Sequence, residues 1–342
     1  MTQIREARFS DKWGFFPDLD PEAHYYYRVQ NKLDWKATEI NFSKDYTNLM
    51  SMTEKYRNPA IKSVTAFQTL DGAVIDRGVL KRINNAPNLM EQLPYIKQLN
   101  AEATHSESYR MQLDALVPDP NEREKLLRSI DSEPWLQRYG DFMKKYDNEE
   151  DSQDSKNPEL KSQDSKNPEI IELIAQALIE GGAFAGLFKV IFFYKYSPTA
   201  KDLPGVTQSN DLIIREESVH RDYAICRFKR LLKKELDPGD IQQRTIEMTD
   251  ELMDIIVQAV PFIVEEDLPG LTQKDVINFS KFVADHLLVG MGYPKHYGVG
   301  EAGYMSMIGG AEQSNYYEVD TTAYQKGDLY KKVVKNYEDV DF

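Results

Sequence analysis

The sequence has a single cysteine, Cys226, in 342 residues. One thiol cannot close an internal disulfide and cannot build a thiolate zinc or iron–sulfur site. Positive charge is short as well: 42 Lys and Arg stand against 56 Asp and Glu, a net charge of −14. Such a surface repels phosphate backbones, so the chain is not a general nucleic-acid binder. Long apolar runs are missing. The longest mostly apolar stretch, Ala183 to Tyr194, is interrupted by Lys189 and is too short to span a bilayer. The opening MTQIREARFSDKWG has none of the apolar core of a secretory signal. No β-rich block of any length occurs. These absences point to a soluble protein of a reducing compartment, the cytoplasm, with no membrane partner.

Helical periodicity fills the gap. Ile61, Val64, Phe67, Leu70, Val74 and Ile75 recur at steps of three and four, as on the buried face of an amphipathic helix. The same period predicts helices over 89–116, 169–194, 209–234, 241–261 and 273–290, with shorter ones over 46–56 and 120–146. Asn58-Pro59, Pro118-Asp119-Pro120, Pro204-Gly205, Pro238-Gly239 and Pro269-Gly270 punctuate them. The expectation is one all-α domain over residues 1–310. Two stretches stand apart from it. Residues 149–170 hold a direct repeat, SQDSKNPE at 152–159 and again at 162–169, whose composition cannot fill a core; it reads as an exposed insertion. Residues 311–342 are polar, rich in Tyr and Asp, and read as a flexible tail.

Carboxylates then appear where a core should be apolar. Two of the five histidines sit in Glu-x-x-His: Glu102 with His105, and Glu217 with His220. A spacing of three places both side chains on one helix face, within reach of one ion. Those faces also carry Tyr95, Tyr109 and Leu113 in one helix, and Ile213, Ala224 and Phe228 in the other, so both motifs point inward. Glu180 is the only charge on the stripe of Leu173, Ala177, Phe184 and Phe188, and Asp71 continues the stripe of Val64 and Phe67. An unpaired buried carboxylate costs several kcal/mol and demands a cation or a proton. Two helices giving one carboxylate each and two giving Glu-x-x-His form the ligand set of a ferritin-like di-metal bundle. Four carboxylates balance two divalent cations, and the mixed carboxylate and imidazole donors suit iron or manganese.

Further motifs narrow the reading. Tyr109 lies one turn after His105; Trp35 opens WKATEINFSKD; Glu216 directly precedes Glu217; and the tail carries NYYEVDTTAYQK, with Tyr324, before the acidic end at Phe342. Together with the six ligands, in this order, they make the chain resemble the small, radical-generating subunit of class I ribonucleotide reductase. The resemblance runs from about residue 24 to the C-terminus, apart from the repeat. It implies that Asp71, Glu102 and His105 bind the metal nearer the tyrosine, that Glu180, Glu217 and His220 bind the second, and that Glu102 and Glu217 bridge. It implies two iron ions per chain, with a dimanganese or mixed pair on the same ligands, activated by dioxygen. Tyr109 would carry a stable radical in a pocket of Phe184, Phe188 and Ile213. Trp35 and Glu216 would start the electron and proton path through His105, and Tyr324 would hand the oxidising equivalent to a large catalytic subunit, docked by Asp339, Val340, Asp341 and Phe342. A homodimer is also implied. The family usually has Asp where Glu216 stands, one methylene shorter.

Two competing readings share the metal site. A di-metal oxidase or desaturase would act on its own substrate and has no use for a tail tyrosine. A non-catalytic iron-binding bundle has no use for Trp35, Tyr109 and Tyr324 together. The remaining side chains read plainly: His24 and His296 as surface residues, His286 as a partner of its helix end, Cys226 as a small buried apolar residue, and Tyr25-Tyr26-Tyr27 as packing.

Overall fold

The computed structural model describes residues 20–74, 78–146, 168–233 and 238–300. Among them there is no strand, only one isolated bridge between Leu268 and Leu271. Twelve α-helices carry the described chain: α1 (Pro21–Gln30), α2 (Asp45–Met50), α3 (Glu54–Val74), α4 (Leu80–Asn85), α5 (Leu89–Leu116), α6 (Pro120–Asp131), α7 (Pro134–Tyr146), α8 (Pro168–Leu178), α9 (Ala185–Tyr196), α10 (Pro204–Leu232), α11 (Pro238–Ile263) and α12 (Gln273–Met291). A five-residue π-turn, Ile179–Ala183, joins α8 to α9. Helices α3, α5, α8 and α10 form the central bundle, with α1 laid on α5 and α10, and α7, α11 and α12 packed along the other side.

The expected helices are present except the one read over 46–56, which is split between α2, ending at Met50, and α3, beginning at Glu54; the ends of the others differ for local reasons. The run read as 61–75 begins at Glu54 and takes Pro59 inside it. The stretch read as one helix over 120–146 is two, broken at Ser132 and Glu133 before Pro134. Helix α10 starts five residues early, at Pro204, because the buried Asp45 side chain accepts the backbone N–H groups of Gly205 and Val206 at 3.1 and 3.0 Å. Gly205 is required there: a Cβ would lie 2.8 Å from the Asn41 carbonyl oxygen. Helix α12 opens with a reciprocal Thr272–Asp275 capping box and ends at Gly292, whose φ of 100° is left-handed.

Helix α8, the π-turn and α9 form one apolar rod, Pro168–Tyr196, longer than the stretch singled out from sequence. By length and composition it could cross a membrane, but 94% of its most apolar window is buried inside the bundle. Pro168 and Glu169, the last two residues of the second repeat, open this helix and are exposed there, whereas Ile170, the last residue of the segment read as an insertion, is buried in the core. The rest of the insertion, the boundary at residue 310, Tyr324 and Asp339, Val340, Asp341 and Phe342 lie outside the described residues.

Candidate metal centre

Each arm of the bundle delivers ligands for the reason its sequence suggests. Helix α3 brings Asp71, α5 brings Glu102 and His105 on successive turns of one face, the π-turn brings Glu180, and α10 brings Glu217 and His220. All six side chains are buried. Their ligand atoms converge in two groups, Asp71–Glu102–His105–Glu217 and Glu102–Glu180–Glu217–His220, each with all atoms within 4.8 Å of one another. Glu102 and Glu217 belong to both groups. His105 presents Nδ1 to Glu102 Oε2 at 3.2 Å and to Glu217 Oε1 at 3.1 Å. His220 presents Nδ1 to Glu102 Oε1 at 3.3 Å and Glu217 Oε2 at 3.2 Å.

The donor set fits a cation pair. Asp71 Oδ2 and Glu180 Oε2 are buried oxygens with no hydrogen-bond donor among the described residues. Protons alone have to balance the cluster otherwise. Burial, and then the charge of Glu102, pushes Asp71 well above the usual carboxylate range. Burial with the charges of Glu217 and Glu102 does the same to Glu180. Burial would lower His105, but its bonds to Glu102, Glu216 and Glu217 carry it well above the usual imidazole value. His220 is raised the same way, against burial, by Glu102, Glu180 and Glu217. Glu102 and Glu217 stay low despite burial because both histidines bond to them. Four held protons thus stand in for the four positive charges that two divalent cations would bring.

The two Glu-x-x-His motifs are alike in sequence and unlike in surroundings. His220 Nε2 is buried without a hydrogen-bond partner among the described residues. His105 Nε2 lies 2.9 Å from Glu216 Oε2, and the same oxygen accepts the Trp35 indole N–H at 2.8 Å. One carboxylate oxygen therefore ties α10 to the Trp35 segment and to α5. The extra methylene of Glu216 spans this distance rather than spoiling it.

Tyr109 sits one turn beyond His105 and is buried. Its ring stacks on Phe67 with centroids 4.9 Å apart and planes 5° from parallel. Phe67 also meets Phe184 at 5.9 Å and Phe188 at 4.9 Å, and Ile213 is fully buried. Phe67 was read only as part of the stripe leading to Asp71; being four residues before that ligand on one face was the available signal. Gln98 was not singled out at all. Its Nε2 donates to Glu180 Oε1 at 2.6 Å and Glu102 Oε1 at 3.2 Å, and its own oxygen accepts from Gln176 at 3.2 Å, so it fixes two ligands at once. Cys226 is half-buried rather than buried, and its thiol is pushed up to about 12 by burial and then by the charge of Glu22.

Comparison with known proteins places this geometry. A family model described as ribonucleotide reductase, small chain, matches residues 12–302. The ribonucleoside-diphosphate reductase small chain of Trypanosoma brucei brucei is 27% identical over 318 residues, covering 92% of this protein and 87% of the relative. The small chain of variola virus is 28% identical over 344 residues, covering 98% of each. Among solved structures, the dimanganese(II) NrdF of Streptococcus sanguinis gives a TM-score of 0.70 at 18% identity, covering 85% of this protein and 95% of that one. The Rnr4 ribonucleotide reductase homodimer of Saccharomyces cerevisiae gives 0.67 at 21% identity, covering 84% of each. The fold is the ferritin-like helical bundle.

Proposed function

Because this protein belongs to the ribonucleotide reductase small-chain family, we propose how its own residues divide the work of that subunit. It is the small chain of ribonucleoside-diphosphate reductase, an oxidoreductase subunit. Asp71, Glu102 and His105 would hold one ion of an iron pair, and Glu180, Glu217 and His220 would hold the other, with Glu102 and Glu217 belonging to both ligand groups. A manganese or mixed pair suits the same donors. When bound in its reduced form, the pair would supply two of the four electrons that dioxygen takes up on full reduction; a third would come from an external reductant such as excess ferrous ion, and the fourth from a nearby phenol. Tyr109 gives that electron, passes its hydroxyl proton to the oxygen being reduced, and becomes the stored radical. Phe67, Phe184, Phe188 and Ile213 keep water and reductants from it. Gln98 orients Glu102 and Glu180. Glu216 holds the proton of His105 Nε2 and the Trp35 indole on one oxygen, so the equivalent leaves along Trp35, Glu216 and His105. In the tail, Tyr324 passes it to the large catalytic subunit, and Asp339, Val340, Asp341 and Phe342 dock there. The protein works as a cytoplasmic homodimer.

The observation that carries this reading is the unbroken Trp35–Glu216–His105 link, which joins the carboxylate cluster to a half-buried indole. Neither an oxidase with its own substrate nor an iron store needs such a wire. The test is to add ferrous iron and air to the metal-free protein and record the EPR spectrum. A tyrosyl signal is expected, and it should vanish in Tyr109→Phe with metal content unchanged. An oxidised metal pair with no organic radical in the unaltered protein would overturn the proposal in favour of the oxidase reading.

A further inference from the structure

Behind the metal centre lies a cavity of about 40 Å³, walled by α3, α7, the π-turn, α9, α11 and α12. Ala66, Leu70, Ala183, Leu187 and Ile256 contribute carbon surface, and Trp135 and Tyr139 complete the wall. Its position is set by the ligand-bearing elements. Leu70 directly precedes Asp71, and Ala183 closes the π-turn that holds Glu180. Tyr139 lines the cavity and is buried, and burial, ahead of the charges of Glu180, Asp71, Glu217 and Glu102, pushes its phenol far up.

The contents follow from size and polarity. Tyr139 Oη and Trp135 Nε1 are buried with no hydrogen-bond partner among the described residues. The accessible wall of the cavity is almost all carbon, and buried water needs two to four polar partners to stay in place. Apolar cavities of roughly 150 Å³ stay dry and take up benzene or xenon. At about 40 Å³ this one has room for a small apolar gas and not for an organic substrate. We propose that this cavity is a holding site for dioxygen beside the carboxylate cluster, reached through the Leu70 and Ala183 walls that adjoin Asp71 and Glu180. The proposal rests on the reading that the centre reacts with dioxygen. Storing an apolar reactant beside the site raises its local concentration without admitting water.

Crystals of the metal-free protein under krypton pressure test the site directly, since krypton is identified by its anomalous scattering. An anomalous peak in the cavity is expected. A water hydrogen-bonded to Tyr139 Oη and Trp135 Nε1, or no density, would overturn the proposal. Ala259→Leu fills the cavity from α11, on the wall away from the ligands, and tests its use. Oxidation of the ferrous-loaded variant in air-saturated buffer should slow at least tenfold by stopped-flow absorbance, with metal stoichiometry unchanged. An unchanged rate would overturn it. If the protein took up no metal, the assigned function would fall, while the krypton measurement would still decide what the cavity holds.

Discussion

Shortening Glu216 to aspartate would withdraw its carboxylate by roughly one carbon–carbon bond, about 1.5 Å. Trp35 Nε1 at 2.8 Å and His105 Nε2 at 2.9 Å share a single oxygen of Glu216, so both contacts open together. At about 4 Å neither remains a hydrogen bond. An unsatisfied buried donor costs about 1–3 kcal/mol. His105 is fully buried and loses its share whole, whereas the half-buried Trp35 recovers part of its share from water. The expected loss is therefore about 2–4 kcal/mol, read as a lowered urea midpoint of the metal-free protein. Glu216→Gln separates reach from charge. Its amide oxygen can still accept both donors, so the cost falls to about 1 kcal/mol per bond, the difference between charge-assisted and neutral pairs. Both variants should still form the tyrosyl signal, because Tyr109 is held by Phe67 and not by Glu216. Both should lose turnover with the large subunit, the aspartate because the link is open and the glutamine because it carries no charge to balance a moving proton. The result is pointed, since aspartate is the residue the family usually carries here. Unchanged stability and turnover in Glu216→Asp would refute the reasoning, because Trp35 and His105 would then not depend on this oxygen.

Phe67→Ala removes the ring stacked on Tyr109 and should cost about 3–5 kcal/mol. Any folded fraction should show a tyrosyl signal that decays many times faster, and an unchanged EPR lifetime would clear Phe67 of a protective role. The metal-free protein should lose stability as pH rises. Asp71, Glu180, His105 and His220 are all raised in the fold, so the folded state holds protons that the unfolded state releases. That contribution is complete below the ordinary values and is lost upward, from the carboxylate range for Asp71 and Glu180 and from about pH 6.5 for the histidines. Glu102 and Glu217 are lowered, so their opposite contribution is lost only as pH falls below the carboxylate range. Bound metal replaces the protons, so the gap in melting temperature between loaded and metal-free protein should widen from about pH 6 to about pH 8; a constant gap would contradict this. In the tail, deleting residues 339–342 should abolish capture of the large subunit, while Tyr324→Phe should leave capture intact and stop turnover. Turnover by either variant at the normal rate would remove that tail role.

The six ligands were legible because a charge on an apolar stripe is an anomaly, and a Glu three residues before a His leaves both on one face. Gln98 was not, because a neutral amide in a helix contradicts nothing. The inner face of α5 in fact carries Gln98, Ser108 and Gln112 beside Tyr95 and Tyr109, so its pattern is a poor guide to direction. Trp35 and Glu216 lie 181 residues apart, and no spacing rule links them; only the resemblance suggested the pair. The π-turn was invisible for a related reason. The stripe of Leu173, Ala177, Glu180, Phe184 and Phe188 keeps steps of three and four straight through 179–183, so the period shows no extra residue.

That turn makes length, as well as residue identity, a property of the site. An α-helix turns about 100° and rises about 1.5 Å per residue. An i→i+5 turn spends one residue more than an α-turn on the same rotation, so deleting Gly182 alone would close the π-turn to α-helix and leave α9 almost in place, with Phe184 and Phe188 still centred near 5.9 and 4.9 Å from Phe67. The change would fall on the turn itself, which holds Glu180. Gly181 leaves no slack to absorb the change, since a Cβ there would already lie 2.6 Å from the side chains of Arg221 and Leu287. The π-turn is thus the place where the rod absorbs one extra residue, and the ligand Glu180 sits inside it. Substitutions along the rod can be compensated one contact at a time, but a one-residue change in length at this turn redirects the ligand while the shield beyond it keeps its place.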